Sequence, residues 1–184
     1  MDHLTEKTLS TEEIFKGRII DVQVDEVLLP DGKKGKREIV KHPGAVAVIA
    51  LTPHDKLLLV RQFRKPLEKT IIEIPAGKLE KGEDPEESAK RELLEETGYE
   101  CQTLAHVTSF YTAPGFSDEL IHIYYTDTLK EAVEQQTDDD EFVEVIEVSL
   151  DKALKYVADG QICDAKTVFA VQYVQLKKEM RKNA

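Results

Sequence analysis

Seven consecutive apolar residues, Ala45–Leu51, form the run AVAVIAL. A run of that length with no polar alternation predicts a strand buried on both faces. Thr52-Pro53-His54-Asp55 predicts a turn, and residues 57–63, LLLVRQF, its hairpin partner. Residues 70–74 predict another short strand. Upstream the hydrophobic pattern thins. Ile20, Val22 and Val24 alternate with polar partners, Pro30-Asp31-Gly32 marks a turn, and residues 37–41 resume a strand. These first 41 residues predict short strands with little to bury, which must pack on the main domain or on a second subunit. Downstream, residues 101–111, 120–126 and 142–149 are strand-like. Ser149 or Asp151 caps a helix ending before Gly160, and Asp164 caps another running to about Met180. Phe169, Tyr173, Leu176 and Met180 recur at helical spacing on that last helix and predict a core stripe.

Between the two groups of strands lies residues 77–99, GKLEKGEDPEESAKRELLEETGY. Asp84-Pro85-Glu86-Glu87 predicts a helix start, with Asp84 as cap, Pro85 at the first helical position and Glu87 closing a capping box. Gly98 predicts its end. At about 100° per residue, Ala89, Leu93 and Leu94 face the core. Glu92 and Glu96 share one stripe with Glu95 beside them, Ser88 lies on the same face, and Arg91 flanks it. Carboxylates crowded within one helical turn repel one another. A bound divalent cation reverses that sign, and Mg²⁺ or Mn²⁺ takes oxygen ligands while keeping sites for substrate phosphates.

Composition narrows the choices. The chain has 184 residues and a formal net charge of -11, with no block of Lys and Arg that would mark a nucleic-acid surface. Only two cysteines are present, Cys101 and Cys163, too few for a disulfide framework, which fits a reducing cytoplasm. The polar start MDHLTEKTLS is not a signal peptide, and no apolar run approaches membrane-spanning length. Strands, one central helix, more strands and terminal helices predict an α+β, layered α/β/α domain with a mixed sheet. The domain expectation is an N-terminal β-subdomain over residues 1–41 and a main domain over residues 42–184.

Gly77, Glu83, Arg91-Glu92-Leu93, Glu95-Glu96 and Gly98-Tyr99 stand at the spacing of the Nudix box, and the stretch resembles it in full. Tyr99 takes a place the family usually gives to a bulky aliphatic residue. The resemblance implies an α/β/α Nudix sandwich that hydrolyses a nucleoside diphosphate linked to another group. It implies metal ligation by Glu92, Glu95, Glu96 and the backbone carbonyl of Ala76, with two or three Mg²⁺ (or Mn²⁺) ions per site. Glu83 and Arg91 are implied to brace the loop and the helix.

Substrate choice lies outside the box. Pro114 stands sixteen residues past Gly98, within Ala113-Pro114-Gly115, and Glu119 follows five on. This is similar to the ADP-ribose pyrophosphatase branch. The four-cysteine zinc site of NADH pyrophosphatases is missing, and Phe116 stands where dinucleoside polyphosphate hydrolases carry a tyrosine. The resemblance therefore implies cleavage of ADP-ribose to AMP and ribose 5-phosphate. Substrate contacts are implied for Arg18, Ile19, Arg37, Glu38, Arg64, Lys78, Ala113, Pro114, Gly115 and Glu119. Adenine stackers in the family are often aromatic, and Ile19 at that place moves the stacking role to Phe15 or Phe116. The general base is expected among Asp138, Asp139, Asp140 and Glu141, with Glu141 first and Asp139 second. Family members form dimers with exchanged N-terminal strands, so a homodimer with shared active sites is implied. Two alternatives stand beside this reading. One is a broader nucleoside-diphosphate-sugar pyrophosphatase acting on GDP-mannose or ADP-glucose. The other is a non-catalytic module that senses ADP-ribose, which the intact acids argue against.

Overall fold

The computed structural model describes residues 3–132 and 142–182. They separate into two compact units. One holds residues 3–44 and Phe110–Ile121; the other holds Ala45–Ser109 and the described residues from His122 onward.

The first unit is built on a three-stranded antiparallel sheet, in the order β1 (Lys7–Lys16), β2 (Asp21–Leu28), β3 (Lys34–Lys41). Strand β1 is a single ten-residue strand, exposed along its whole length although it carries Leu9, Ile14 and Phe15. Strand β2 buries Val27 and the carboxylate of Asp25, which accepts from Thr8, Thr11 and Gln23. Residues 112–119 are zipped to the end of β3. Val40 N–H donates to the Phe116 carbonyl at 2.8 Å, and Asp118 N–H donates to the Val40 carbonyl at 3.2 Å. Asp118 also accepts from the Lys41 ammonium at 2.8 Å and from His42 N–H at 2.9 Å.

The second unit is organised on a seven-stranded mixed sheet. Strand β4 (Ala45–Leu51) is buried at all seven positions. Val46, Val48 and Ala50 join Leu58, Ala89, Leu93 and Tyr124 in one apolar cluster, so the alternate residues Ala47 and Ile49 point to the opposite, equally closed face. Strand β5 (Leu57–Arg64) meets β4 only at Ala50–Leu58 and Leu51–Leu57. Beyond that, β5 pairs with β6 (Lys69–Glu73), and β4 pairs with β7 (Ala76–Lys78). The chain thus crosses from β5 to β4 through Glu73–Ala76 and enters the loop that leads to helix α1 (Pro85–Thr97).

Residues 101–111 are not one strand. Tyr99–Cys101 is β8, and Ala105–Tyr111 is β9, which joins the sheet next to β10 (Leu120–Thr126). Strand β8 leaves the sheet to pair with β11 (Leu129–Glu131), and β12 (Val143–Val148) pairs with the other edge of β5. Helix α2 (Leu150–Ala158) is capped by Ser149, and α3 (Ala165–Lys182) by Asp164, whose carboxylate accepts from Thr167 N–H at 3.1 Å. The core face of α3 is Thr167, Ala170, Val171 and Val174. The expected stripe is therefore corrected: Leu176 and Met180 are exposed, and Phe169 stacks on Tyr173 beside Tyr125 and Lys177. Small and β-branched residues let α3 sit close to its neighbours, which turns the bulkier stripe outward.

Candidate active site

Helix α1 forms where its start signal stands. Asp84 accepts from Glu86 N–H at 2.9 Å and Glu87 N–H at 3.3 Å, and Pro85 occupies the first turn. Such a cap contributes about 1 kcal/mol. Glu87 does not close a capping box; it turns to Lys90 at 2.8 Å. Gly98 ends the helix at φ 74, a left-handed conformation that disfavours a side chain. Ala89 and Leu93 are fully buried, which for a leucine contributes roughly 1.5–3 kcal/mol. Leu94 is half-buried.

The acidic stripe is graded by depth. Glu96 is 2% exposed, whereas the side chains of Glu92 and Glu95 retain 14% and 42% of their surface. Ala76 N–H donates to Glu96 Oε2 at 2.9 Å, which ties β7 to the helix. The Glu92 carboxylate lies against Gly77: a Cβ there would meet Glu92 Cδ at 1.8 Å. Only glycine leaves room for that carboxylate.

Arg91 is the central cation of the stripe. Its Nη1 lies 2.8 Å from Glu92 Oε1 and 3.0 Å from Glu95 Oε2. On its other side it grips Glu83 in two parallel bonds, Nε to Oε1 at 2.9 Å and Nη2 to Oε2 at 3.0 Å. Glu83 Oε2 also accepts from Glu80 N–H at 3.0 Å, so one ion pair locks the loop onto the helix. The hydrogen bonds from Arg91, against a smaller opposing effect of burial, hold the Glu83 carboxyl down at about 2. Arg91 is raised above its ordinary value, first by its bonds to Glu83.

A hard divalent ion fits this donor set in chemistry, because every expected ligand (Glu92, Glu95, Glu96 and the Ala76 carbonyl) offers oxygen. Among the described residues, no three acids, imidazoles or thiols are gathered as a closed metal cage. Glu92 and Glu95 instead share the Arg91 guanidinium, and Glu96 accepts from Ala76 N–H.

The other expected residues fall in several places. Lys78 is exposed at the end of β7. Arg64, at the end of β5, donates from Nε to Glu73 Oε2 at 2.6 Å. Arg37 and Glu38 of β3 line a cleft of about 470 Å³ in the first unit, together with Glu12, Val24, Lys36, Gly115 and Phe116. Arg37 is paired with Glu6, whose hydrogen bond raises the guanidinium further above its ordinary value. Arg18 and Ile19 sit exposed in the β1–β2 turn and are not among the lining residues of that cleft. Ala113 and Pro114 open the turn that presents Gly115 and Phe116, with Phe116 N–H donating to the Ala113 carbonyl at 3.1 Å. Glu119 accepts from the Thr112 hydroxyl and lies 3.6 Å from His42 Nε2. Asp138, Asp139, Asp140 and Glu141 lie outside the described residues.

Tyr99 carries more than packing. Its hydroxyl lies 3.2 Å from Glu131 Oε1 and 3.1 Å from Glu147 Oε1. Burial, and then the Glu147 carboxylate, pushes the phenol up to about 12. The phenol in place of an aliphatic residue was the visible signal. Its two carboxylate partners, 32 and 48 positions away, were not.

The family model described as the NUDIX domain matches residues 40–168, and the model described as the nucleoside diphosphate sugar hydrolase N-terminal domain matches residues 6–40. The chain is 56% identical over 182 residues to the ADP-ribose pyrophosphatase of Bacillus subtilis, covering 98% of each. It is 57% identical over 177 residues to the methanol dehydrogenase activator of Bacillus methanolicus, covering 96% of each. A GDP-mannose pyrophosphatase of Yersinia enterocolitica is 34% identical, over 72% of this chain and 73% of its own. Among solved structures, the crystal structure of an ADP compounds hydrolase superposes with a TM-score of 0.84 at 20% identity, over 97% of both chains, and so shares the fold. With its box intact on α1 and the NUDIX match spanning most of its length, the chain belongs to the Nudix hydrolase family.

Proposed function

We propose that this hydrolase cleaves the diphosphate of ADP-ribose, releasing AMP and ribose 5-phosphate. The observation that carries the substrate is the 56% identity, along 98% of both chains, to a protein named ADP-ribose pyrophosphatase. The chemistry rests on the stripe of Glu92 and Glu95, held by Arg91, and Glu96, which accepts from Ala76 N–H.

Glu92, Glu95, Glu96 and the Ala76 carbonyl would hold two or three Mg²⁺ ions. When bound, these neutralise the diphosphate and make a bound water more acidic. The rest is positioning, which is most of what phosphoryl transfer requires. Arg91 and Glu83 fix the helix against its loop, and Gly77 admits the Glu92 carboxylate. Arg64 meets a phosphate oxygen. Glu141, or Asp139 in its stead, takes the proton of the attacking water as the phosphoanhydride P–O bond breaks. Arg37, Glu38, Gly115 and Phe116 hold the nucleoside end, with Phe116, 58% exposed at the cleft, as the stacking ring.

The chain works as a homodimer in which β1 is covered by a second copy. Support comes from Leu9, Ile14 and Phe15, all exposed on a strand that, among the described residues, has β2 as its one partner in the sheet. No helix among the described residues is long and apolar enough to cross a membrane, and Cys101 and Cys163 are both free thiols. A cytoplasmic site of action fits both.

A second reading follows from the relative named methanol dehydrogenase activator, as similar to this chain as the pyrophosphatase. In that reading the chain's action serves a dehydrogenase. One set of assays separates the two. Purified protein with Mg²⁺ is given ADP-ribose, ADP-glucose and GDP-mannose with detection of the released nucleoside monophosphate, and separately is added to a methanol dehydrogenase assay. AMP release from ADP-ribose ahead of the other sugars supports the main reading. Efficient cleavage of GDP-mannose with none of ADP-ribose overturns it, and a raised dehydrogenase rate supports the second.

A further inference from the structure

Glu73 is nearly buried, with 4% of its side chain exposed, and both of its oxygens are engaged by cations. Oε2 accepts from Arg64 Nε at 2.6 Å, and Oε1 accepts from the ammonium of Lys166 on α3. Lys166 also donates to Asp164 Oδ1 at 3.0 Å, the same oxygen that caps α3 through Thr167 N–H. The loop of contacts then closes, because the Thr167 hydroxyl accepts from Ile74 N–H at 2.9 Å. Two consecutive residues of the strand end, Glu73 and Ile74, are thus clamped by two consecutive residues of the helix, Lys166 and Thr167. Burial alone would raise the Glu73 carboxyl, but Lys166 and Arg64 outweigh it, so the group is held below its ordinary value and stays ionised.

A buried ion network is a poor device for stability, since well-packed apolar residues of the same volume do as well or better. What this one supplies is direction. A guanidinium gripped at Nε by a carboxylate that cannot itself move has its plane fixed at the root. Arg64 nevertheless keeps 38% of its side-chain surface. Three residues after Glu73 the chain reaches Ala76, whose N–H meets Glu96.

We propose that Glu73, clamped by Lys166, is a positioning residue that holds Arg64 in the orientation in which it meets the substrate's diphosphate. The proposal rests on the reading of Arg64 given above. It places the C-terminal helix, far from the box in sequence, in the support of the site.

The test is a double-mutant cycle of Arg64→Ala and Glu73→Gln, read as KM and kcat, with thermal melting as the fold control. The substrate is whichever panel member the wild-type enzyme turns over. A wild type that releases no AMP from ADP-ribose therefore sinks the substrate assignment and not this proposal. Each single variant should raise KM about ten- to a hundredfold, the worth of a charge-assisted contact made in ground and transition state alike. Their combination should be no worse than Arg64→Ala alone. Glu73→Gln with Lys166→Met removes both buried charges; it should melt near the wild type and still show the raised KM. Multiplied effects in the cycle would overturn the proposal, as would an Arg64→Ala enzyme of normal KM. So would a Glu73→Gln, Lys166→Met enzyme whose KM has returned to normal.

Discussion

The carboxylate of Glu92 occupies the place where Gly77 would carry a side chain, with Glu92 Cδ 1.8 Å from that Cβ position. Gly77 sits on β7, paired with Val46, so its backbone has little freedom to retreat. A methyl group added there must displace the flexible carboxylate instead. Gly77→Ala should fold, because the neighbour that yields is a side chain. It should lose about a hundredfold or more in kcat, the scale of an ångström-sized misplacement of a reacting group. Steady-state kinetics alongside a melting curve checks this, and an enzyme of normal kcat would show that turnover does not depend on where the Glu92 carboxylate sits.

Glu83 and Arg91 make stability depend on pH. The Glu83 carboxyl sits at about 2 in the folded chain, against 4.5 ordinarily, because Arg91 hydrogen-bonds its ionised form. A depressed carboxylate binds fewer protons when folded than when unfolded, so its contribution is whole above pH 4.5 and is lost as pH falls toward 2. Denaturant melts across that window should show Glu83→Gln less stable than the wild type near neutrality, with the gap closing as acid is added. Parallel curves at every pH would contradict the pairing.

Asp84 offers a control on fold alone. Asp84→Ala removes the acceptor for Glu86 and Glu87 N–H. The cost should be about 1 kcal/mol, or roughly 2–4 °C in melting temperature for a chain of this size. Turnover at room temperature should hardly change, which kinetics below the melting range would show.

That helix shows what a sequence exposes. Its cap, its terminator and its carboxylate stripe depend on residues within a few positions of one another, and each appears where local chemistry put it. The same holds for AVAVIAL and for the Ser149 and Asp164 caps. What stayed hidden depends on distance along the chain. Glu73 meets Lys166 across 93 positions, and Tyr99 meets Glu147 across 48. Leu176 and Met180 have a core residue's spacing, yet α3 packs by Ala170, Val171 and Val174. Helical spacing marks a stripe, but the partner surface decides which stripe is covered. Arg37 and Gly115 meet in one cleft only because residues 112–119 are zipped to β3.

Phe116 and Phe15 divide the question of adenine stacking. Phe116 lines the cleft with Arg37 and Glu38, whereas Phe15 sits on exposed β1 and does not. Phe116→Ala should raise KM for ADP-ribose about ten- to a hundredfold, the usual worth of a base–aromatic stack. Phe15→Ala should leave KM near normal. The reverse pattern in the two KM values would move the nucleoside subsite.

If the α1 stripe, with a divalent ion, breaks the diphosphate of ADP-ribose, both the ion and Glu96 must be needed for turnover. The most direct measurement is AMP release from ADP-ribose by the purified chain in Mg²⁺, in excess chelator, and with Glu96→Gln. Steady release is expected in Mg²⁺, none in chelator, and a loss of about a hundredfold or more in kcat for the folded variant. Release that persists in chelator, or that survives Glu96→Gln unchanged, would contradict that reading.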